Sequence, residues 1–467
     1  MKNRINVIDW IQKNKKYVIV FILLFLTLIQ VYYTDTRSTT RQGILFWEAL
    51  FSGRFFQYYS INLQAKQNGL MLHEANYDMV LNFLMGVWQL PLYIIEKITG
   101  CGDIINFFSA RVYSKIYLLL LVWISGLEMR KIGKSLGADE QDQEHIFFMF
   151  VTSAFVITSA LVNSQVDIIG VFFTLKALYH ALENNNKKYF FYFLCAVQCK
   201  NFAAFLFLPV IIIKERNVIR IAVIEMVPLA LSALVNLPFK LADPAGTAPK
   251  TERLAFMIQE MLERKIWLFG YQVPVFFVLV IAGWLLAWFI KVPEEKKKEY
   301  MIYFGYLGTL LFFIGMSTSA YWFIYFAPYL TLLFFMRKDR RQDRLFLEVI
   351  CCAAMAVGYV FCKYWQFSGV EVMLMGQLMP GRDFIHLEEL WEKYGHASYY
   401  MAWTVTYAIF AVWSVGAAIY HCPYRKYGDK TETEVAKEPI GKGLWLRMAI
   451  NILINCAQVL LCMIGRR

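Results

Sequence analysis

The chain has 467 residues, 58% of them hydrophobic and 17% aromatic, with a mean hydropathy of +0.45. This apolar share is above that of ordinary soluble domains and excludes a water-soluble domain large enough to stand alone; runs of about 20 apolar residues, enough to cross a bilayer, recur along nearly the whole length. The net charge of +12 does not indicate nucleic acid as a partner, because Lys and Arg cluster in short loops between apolar runs, the distribution that orients membrane proteins.

A basic start (Lys2, Arg4, Lys13, Lys15, Lys16) precedes the first apolar run, Tyr17 to Tyr33. No small-residue cleavage site follows it, so the run reads as an anchor and not a signal peptide. Residues 35 to about 105 then form one long external region. Within it, Gln42 to Tyr59 carries aromatic and charged residues on alternate helical faces, as helices lying in the interface do. Met79 to Ile98 is long enough to cross but holds Pro91 and several polar residues. If it crossed, Arg130, Lys131 and Lys134 would move outside, so it is expected to dip into or lie along the outer leaflet.

The remaining basic anchors are Lys187 and Lys188, Lys214 to Arg220, Lys291 to Lys298, Arg337 to Arg344, and Arg425 to Lys442. Placed on the cytoplasmic side, these predict spans near 17–34, 110–128, 146–163, 166–183, 188–203, 203–214, 217–236, 270–290, 300–317, 320–336, 345–366, 398–420 and 444–464. The fold class is an all-α polytopic membrane protein with about thirteen transmembrane helices. A first unit covers 1–236; a second, 237–467, has external loops near 237–269 and 367–397. The nine cysteines lack zinc spacing, and an odd count argues against a complete disulfide framework.

Residues able to do chemistry collect on the external side of this threading. Asp35 follows the first span in YYTDTRSTTRQGILFWEAL, and the same region adds Glu48, His73, Glu74, Asn76 and Asp78. Paired carboxylates can divide base and orienting or metal-binding roles. In LVNSQVDIIG, residues 161–170, Asn163, Gln165 and Asp167 sit between two apolar runs. A carboxylate is tolerable at a helix end near water, whereas at mid-bilayer it costs several kcal/mol. Lys200 interrupts another apolar run in CKNFAAFLFLPVIIIKER, where it must snorkel or meet an anion such as a lipid phosphate. Tyr321 and Trp322 lie at an outer turn in STSAYWFIYFAP; they suit either sugar stacking or an interfacial aromatic belt. The sequence has no GxGxxG, Walker, HExxH or GxSxG pattern, so nucleotide cofactors, ATP coupling and the common hydrolase layouts lack support.

The stretch NSQVDIIGVFFTLKALYHALENNNKKYFFYFLCAVQCKNFAAFLFLPVIII, residues 163–213, resembles the part of GT-C membrane glycosyltransferases in which a polar junction bearing Gln and Asp precedes two helices, a Lys-containing turn and a later Pro. An Asp just beyond the first span, opening a long external loop with interfacial helices, is similar too. The likeness covers about residues 17–236. It implies a GT-C-like, mannosyltransferase-like hexosyltransferase of a bacterial-type cell membrane. Such an enzyme takes a sugar from a polyprenyl-phosphate carrier on the extracytoplasmic face and passes it to a hydroxyl of a lipid or polysaccharide acceptor. By resemblance Asp35 is the general base. Lys200 meets the leaving phosphate, Asp167 and Gln165 orient the sugar, and Asp78 is a second carboxylate in reserve. Two departures stand out: relatives often carry paired acids where Asp35 is followed by Thr36 and Arg37, and Gly where this chain has Asn163 and Ser164. The first weakens a divalent-metal requirement, and no other cofactor is implied. A lipid-linked sugar flippase or transporter and an envelope polysaccharide polymerase or ligase are the alternatives, against which stand the lack of a clear internal repeat and a modest, mixed-charge late loop.

Overall fold

Backbone polar groups in lipid must be satisfied within their own segment, and the apolar runs accordingly fold as helices. The computed structural model describes residues 12–316, 319–362, 371–381, 384, 396–423 and 440–464. Lys2 and Arg4, most of the expected loop 367–397 and the basic stretch 425–439 lie outside the described residues.

Helix α1 (Lys15–Leu28) ends in a two-residue strand, β1 (Val31–Tyr32), and α2 (Thr34–Phe51) starts at once. Strand β1 pairs antiparallel with Glu371–Val372, so part of the late loop returns to the end of the first helix. After α3 (Tyr58–Gln67), α4 (Met79–Thr99) runs unbroken through Pro91. It packs on α2 at a close approach: a Cβ on Gly43 would come within 2.7 Å of the Gln89 side chain. Trp47 Nε1 also donates to the Gly86 carbonyl at 2.6 Å. Helix α2 keeps many polar groups inside, and two arginines hold it: Arg37 bonds Asp103 at 2.6 Å, and Arg41 bonds Glu96 at 2.8 Å as well as Asp103. Arg37 is thus a structural clamp.

Next come α5 (Phe108–Ser135) and α6 (Glu140–Val151), then a π-helical turn, Ile157–Val162. Helices α7 (Asp167–Leu182), α8 (Asn186–Cys199), α9 (Ala203–Glu215) and α10 (Val218–Ala242) follow. The stretch expected to be a loop near 237–269 is instead helical: α10 continues to Ala242, and α11 (Pro244–Glu263) leads into the hairpin β2 (Lys265–Leu268) and β3 (Tyr271–Pro274). The chain closes with α12 (Val275–Phe289), α13 (Lys297–Gly315), a 3₁₀ turn Ala320–Tyr325, α14 (Phe326–Met336), α15 (Arg341–Cys362), the short α16 (Leu374–Leu378), α17 (His396–Tyr420) and α18 (Gly441–Ile464).

Among the described residues seven helices are long and apolar enough to cross a membrane. They include α4, the one expected to lie along the surface. The count of about thirteen is not reached by this measure, because several expected spans are short: α1, α7, α8, α9 and α12 have 13 to 16 residues. At about 1.5 Å per residue they reach roughly 20–24 Å, less than the roughly 30 Å hydrocarbon core.

The basic loops meet at one end of the bundle. Lys16 contacts Glu144 at 3.5 Å, and Arg341 grips Asp142 through two bonds of 2.9 and 3.0 Å. Lys298 reaches the Ser135 carbonyl and Glu183, Lys214 donates to Asn184, and Arg216 donates to the Ala287 and Trp288 carbonyls. Helices α7, α8, α9 and α14 each have one end in this network. Their other ends carry Asp167, Lys200 and the Ala320–Tyr325 turn.

Candidate functional site

Asp35 lies in the first turn of α2, where the helix dipole favours a carboxylate, and its side chain is a quarter exposed. Gln165 Nε2 donates to Asp35 Oδ2 at 2.9 Å, and His73 Nε2 lies 3.2 Å from Oδ1. Gln165 is buried and reaches Asp35 because the chain turns sharply after the π-helical segment. Ser164 makes that turn with φ +52°, a left-handed conformation that favours glycine. The junction therefore keeps the backbone geometry of a glycine without the residue. Asn163 Nδ2 donates to the Tyr359 hydroxyl at 2.6 Å, fixing the other side of the turn.

Two residues beyond Gln165, Asp167 begins α7 with its side chain fully buried and paired to Lys200 Nζ at 3.0 Å. Lys200 caps the C-terminus of α8 in an extended conformation, so the turn to α9 delivers its ammonium to Asp167. That ammonium sits in an aromatic cage, 5.0 Å from the Tyr77 ring centroid, 5.1 Å from Trp322 and 5.7 Å from Phe202. A buried charge is tolerated when paired, and ring faces add attraction for the cation. Tyr77 and Tyr321 lie within electrostatic reach of both Asp35 and Asp167, so the two carboxylates belong to one cluster, Asp35 at its exposed edge and Asp167 sealed inside it. Burial first, and then the Asp167 carboxylate, push the Tyr77 hydroxyl well above its ordinary range, so it remains an O–H donor within this cluster.

Asp35, Gln165, Asp167, Lys200, Tyr321 and Trp322 are thus brought together. Trp322 is buried against Lys200, so its face holds the cation and is not open for a sugar to stack on. Asp78 joins a neighbouring cluster: it is ion-paired with Lys250 of α11 and accepts from Ser232 Oγ at 2.8 Å. Glu48 pairs with Lys97, and Glu74 with Lys66.

Sequence reasoning gave His73 no specific role and missed Lys250 and Lys115. Lys250 lies in the stretch read as a loop. Lys115 is fully buried in α5 and donates to the carbonyls of Leu28 and Val31, satisfying the end of α1 just before Asp35. Only the lone charge inside an apolar run signalled it. Among the described residues no three His, Cys, Asp or Glu side chains converge as a metal set. Asp35 and His73 alone do not fit a protein-held divalent cation. No protein-family model, curated protein or solved structure matches the chain.

Proposed function

We propose that the protein is a membrane glycosyltransferase that moves a sugar from a polyprenyl-phosphate carrier to an acceptor hydroxyl. One observation carries this reading. A partly exposed carboxylate (Asp35) and a caged cation (Lys200) stand in one cluster joined through Gln165–Asp167, at the end of the bundle away from the basic loops. Under the positive-inside rule that end is extracytoplasmic, in a multi-pass cell-membrane protein.

Asp35 is the site carboxylate open to a substrate, whereas Asp167 is sealed. Asp35 takes the proton of the acceptor hydroxyl as its oxygen bonds to the anomeric carbon. The bond from that carbon to the carrier phosphate breaks, and the phosphate leaves with the electron pair. Direct displacement with oxocarbenium character inverts the anomeric centre. A phosphate is already a stable anion, so it needs positive charge and not a general acid; Lys200 supplies it. Asp167 is then a positioning residue that sets where the ammonium waits, and Gln165 and His73 orient the base. Tyr77 and Tyr321 offer hydroxyls beside the reacting sugar.

The test is to incubate purified protein with a panel of polyprenyl-phosphate sugars and a hydroxyl acceptor, following glycosidic product for the native chain and Asp35→Asn. Product from the native chain and its loss in the variant support the reading. If neither consumes donor while reconstituted vesicles move a solute, the protein is a transporter.

A further inference from the structure

At the basic end, away from the proposed sugar site, a cavity of about 290 Å³ lies between α14, the start of α15 and the end of α17. Its walls are apolar, formed by Leu330, Leu333, Leu347, Trp413, Gly416 and Ala417. Its rim carries Arg340 and Arg344. The carboxylates beside it are neutralised: Asp343 pairs with Arg340 at 2.9 Å, and Glu348 is held by Arg447 through two bonds of 2.7 Å. Arg344 makes no direct ion pair among the described residues; the nearby Asp339 carboxylate accepts from the Tyr420 hydroxyl and acts on Arg344 only at longer range. It donates to the carbonyls of Phe334, Arg337 and Asp339 at 2.8 to 3.0 Å. Those three bonds leave two of its five N–H groups for another acceptor, and Arg337 and Lys338 add positive charge nearby.

The surroundings of the mouth indicate what fills it. Leu347, Phe346 and Ile419 are half or more exposed on the outer surface of α15 and α17, the pattern of residues that face lipid tails. An apolar hollow that borders hydrocarbon on one side and arginines on the other matches an amphiphile with a chain and an anionic head. Its volume is near the lower end of ligand pockets, about 300–1,000 Å³, and suits one chain, not a whole lipid. We infer that this cavity binds an anionic phospholipid of the leaflet at the basic end, with an acyl chain between Leu333 and Gly416 and the phosphate at Arg340 and Arg344. The inference does not depend on the sugar-transfer reading, since it concerns the opposite end of the bundle.

Gly416 provides the test, because a Cβ added there meets no atom within 4 Å and a larger side chain enters open space. Purified full-length protein in neutral detergent is titrated with phosphatidylglycerol or phosphatidylcholine, and retained lipid is counted by native mass spectrometry. The native chain should hold phosphatidylglycerol about tenfold more tightly than phosphatidylcholine, and Gly416→Phe should lose about tenfold in that affinity at an unchanged melting temperature. Leu347→Trp, filling the cavity from the other wall, should do the same and stands in if Gly416→Phe does not fold. Arg340→Gln should weaken retention about threefold. Equal retention by both filled variants, equal binding of the two lipids, or displacement of phosphatidylglycerol by inorganic phosphate alone overturns the proposal; the last would show a free-anion site with no use for the apolar walls.

Discussion

Asp35 is hydrogen-bonded to Gln165, two residues before Asp167 in the chain, yet the surroundings of the two carboxylates divide them. Asp35 is a quarter exposed, accepts a hydrogen bond from Gln165 and has His73 Nε2 at 3.2 Å. Asp167 has no exposure and a cation at 3.0 Å. A base must reach its substrate's proton, so Asp35→Asn should reduce turnover about 10²- to 10⁴-fold while donor affinity, measured by equilibrium binding, stays within a small factor. Comparable turnover in the variant would remove Asp35 from the chemistry. The Lys200 pair makes a different prediction. Lys200→Met leaves a buried carboxylate without its partner, which costs about 3–5 kcal/mol and should appear as a lower melting temperature in detergent. Replacing both partners, Asp167→Leu with Lys200→Met, should recover most of that stability, because two apolar groups leave no stranded charge. Turnover should stay low in the double variant, since the cation that meets the phosphate is still missing. Recovery of both together would make the pair a purely structural one.

The elements show which parts of this arrangement the sequence reveals and which it hides. The helices from Asp167 to Glu215 match the expected runs within a few residues because unbroken apolar sequence and Asn or Lys at the turns mark both ends. Gln165, Asp167 and Lys200 were legible for the same reason: a polar residue set in apolar sequence must be at a turn or paired. Residues 237–269 were not legible. Pro238, Pro249 and many polar residues signal a loop, but Pro244 opens α11 at a position where proline's missing N–H is harmless, and α11 packs along α3 and α10, bringing Lys250 to Asp78. Pairings across about 170 residues, such as Lys250 with Asp78, leave no local trace in either segment. Lys115 is a further case, since its partners are backbone carbonyls and carry no side-chain signal. Its ammonium ties off α1 at Leu28 and Val31, seven and four residues before Asp35. Lys115→Met keeps the length of the side chain but leaves those buried carbonyls unbonded, at about 1–3 kcal/mol each. The melting temperature should fall, and turnover per folded molecule should fall with it, because the segment that places Asp35 is released. A drop in stability with full turnover per folded molecule would limit Lys115 to packing.

At the scale of the molecule, the contacts sort the charge into two ends. Lys16, Arg216, Lys298 and Arg341 lie in one connected layer, although the loops that carry them are spread over more than 300 residues of sequence. The convergence depends on helix direction alone, so it supports the topology independently of how many helices cross fully. Asp35, Lys200 and Cys101 belong to the other end, Cys101 through the loop whose Asp103 binds Arg37 and Arg41. Since short loops rich in Lys and Arg stay in the cytoplasm, the site end should face outward. Native Cys101 is partly exposed, and Lys296 is exposed in the turn before α13; together they report the two faces. A membrane-impermeant maleimide added to intact cells should label the Cys101 peptide, and Cys101→Ser should abolish that signal. In a Lys296→Cys variant the new thiol should be labelled only after the membrane is opened. The reverse pattern would place Asp35 and Lys200 in the cytoplasm, where a carrier lipid presenting its sugar outside cannot reach them, and the proposed reaction would lose its donor.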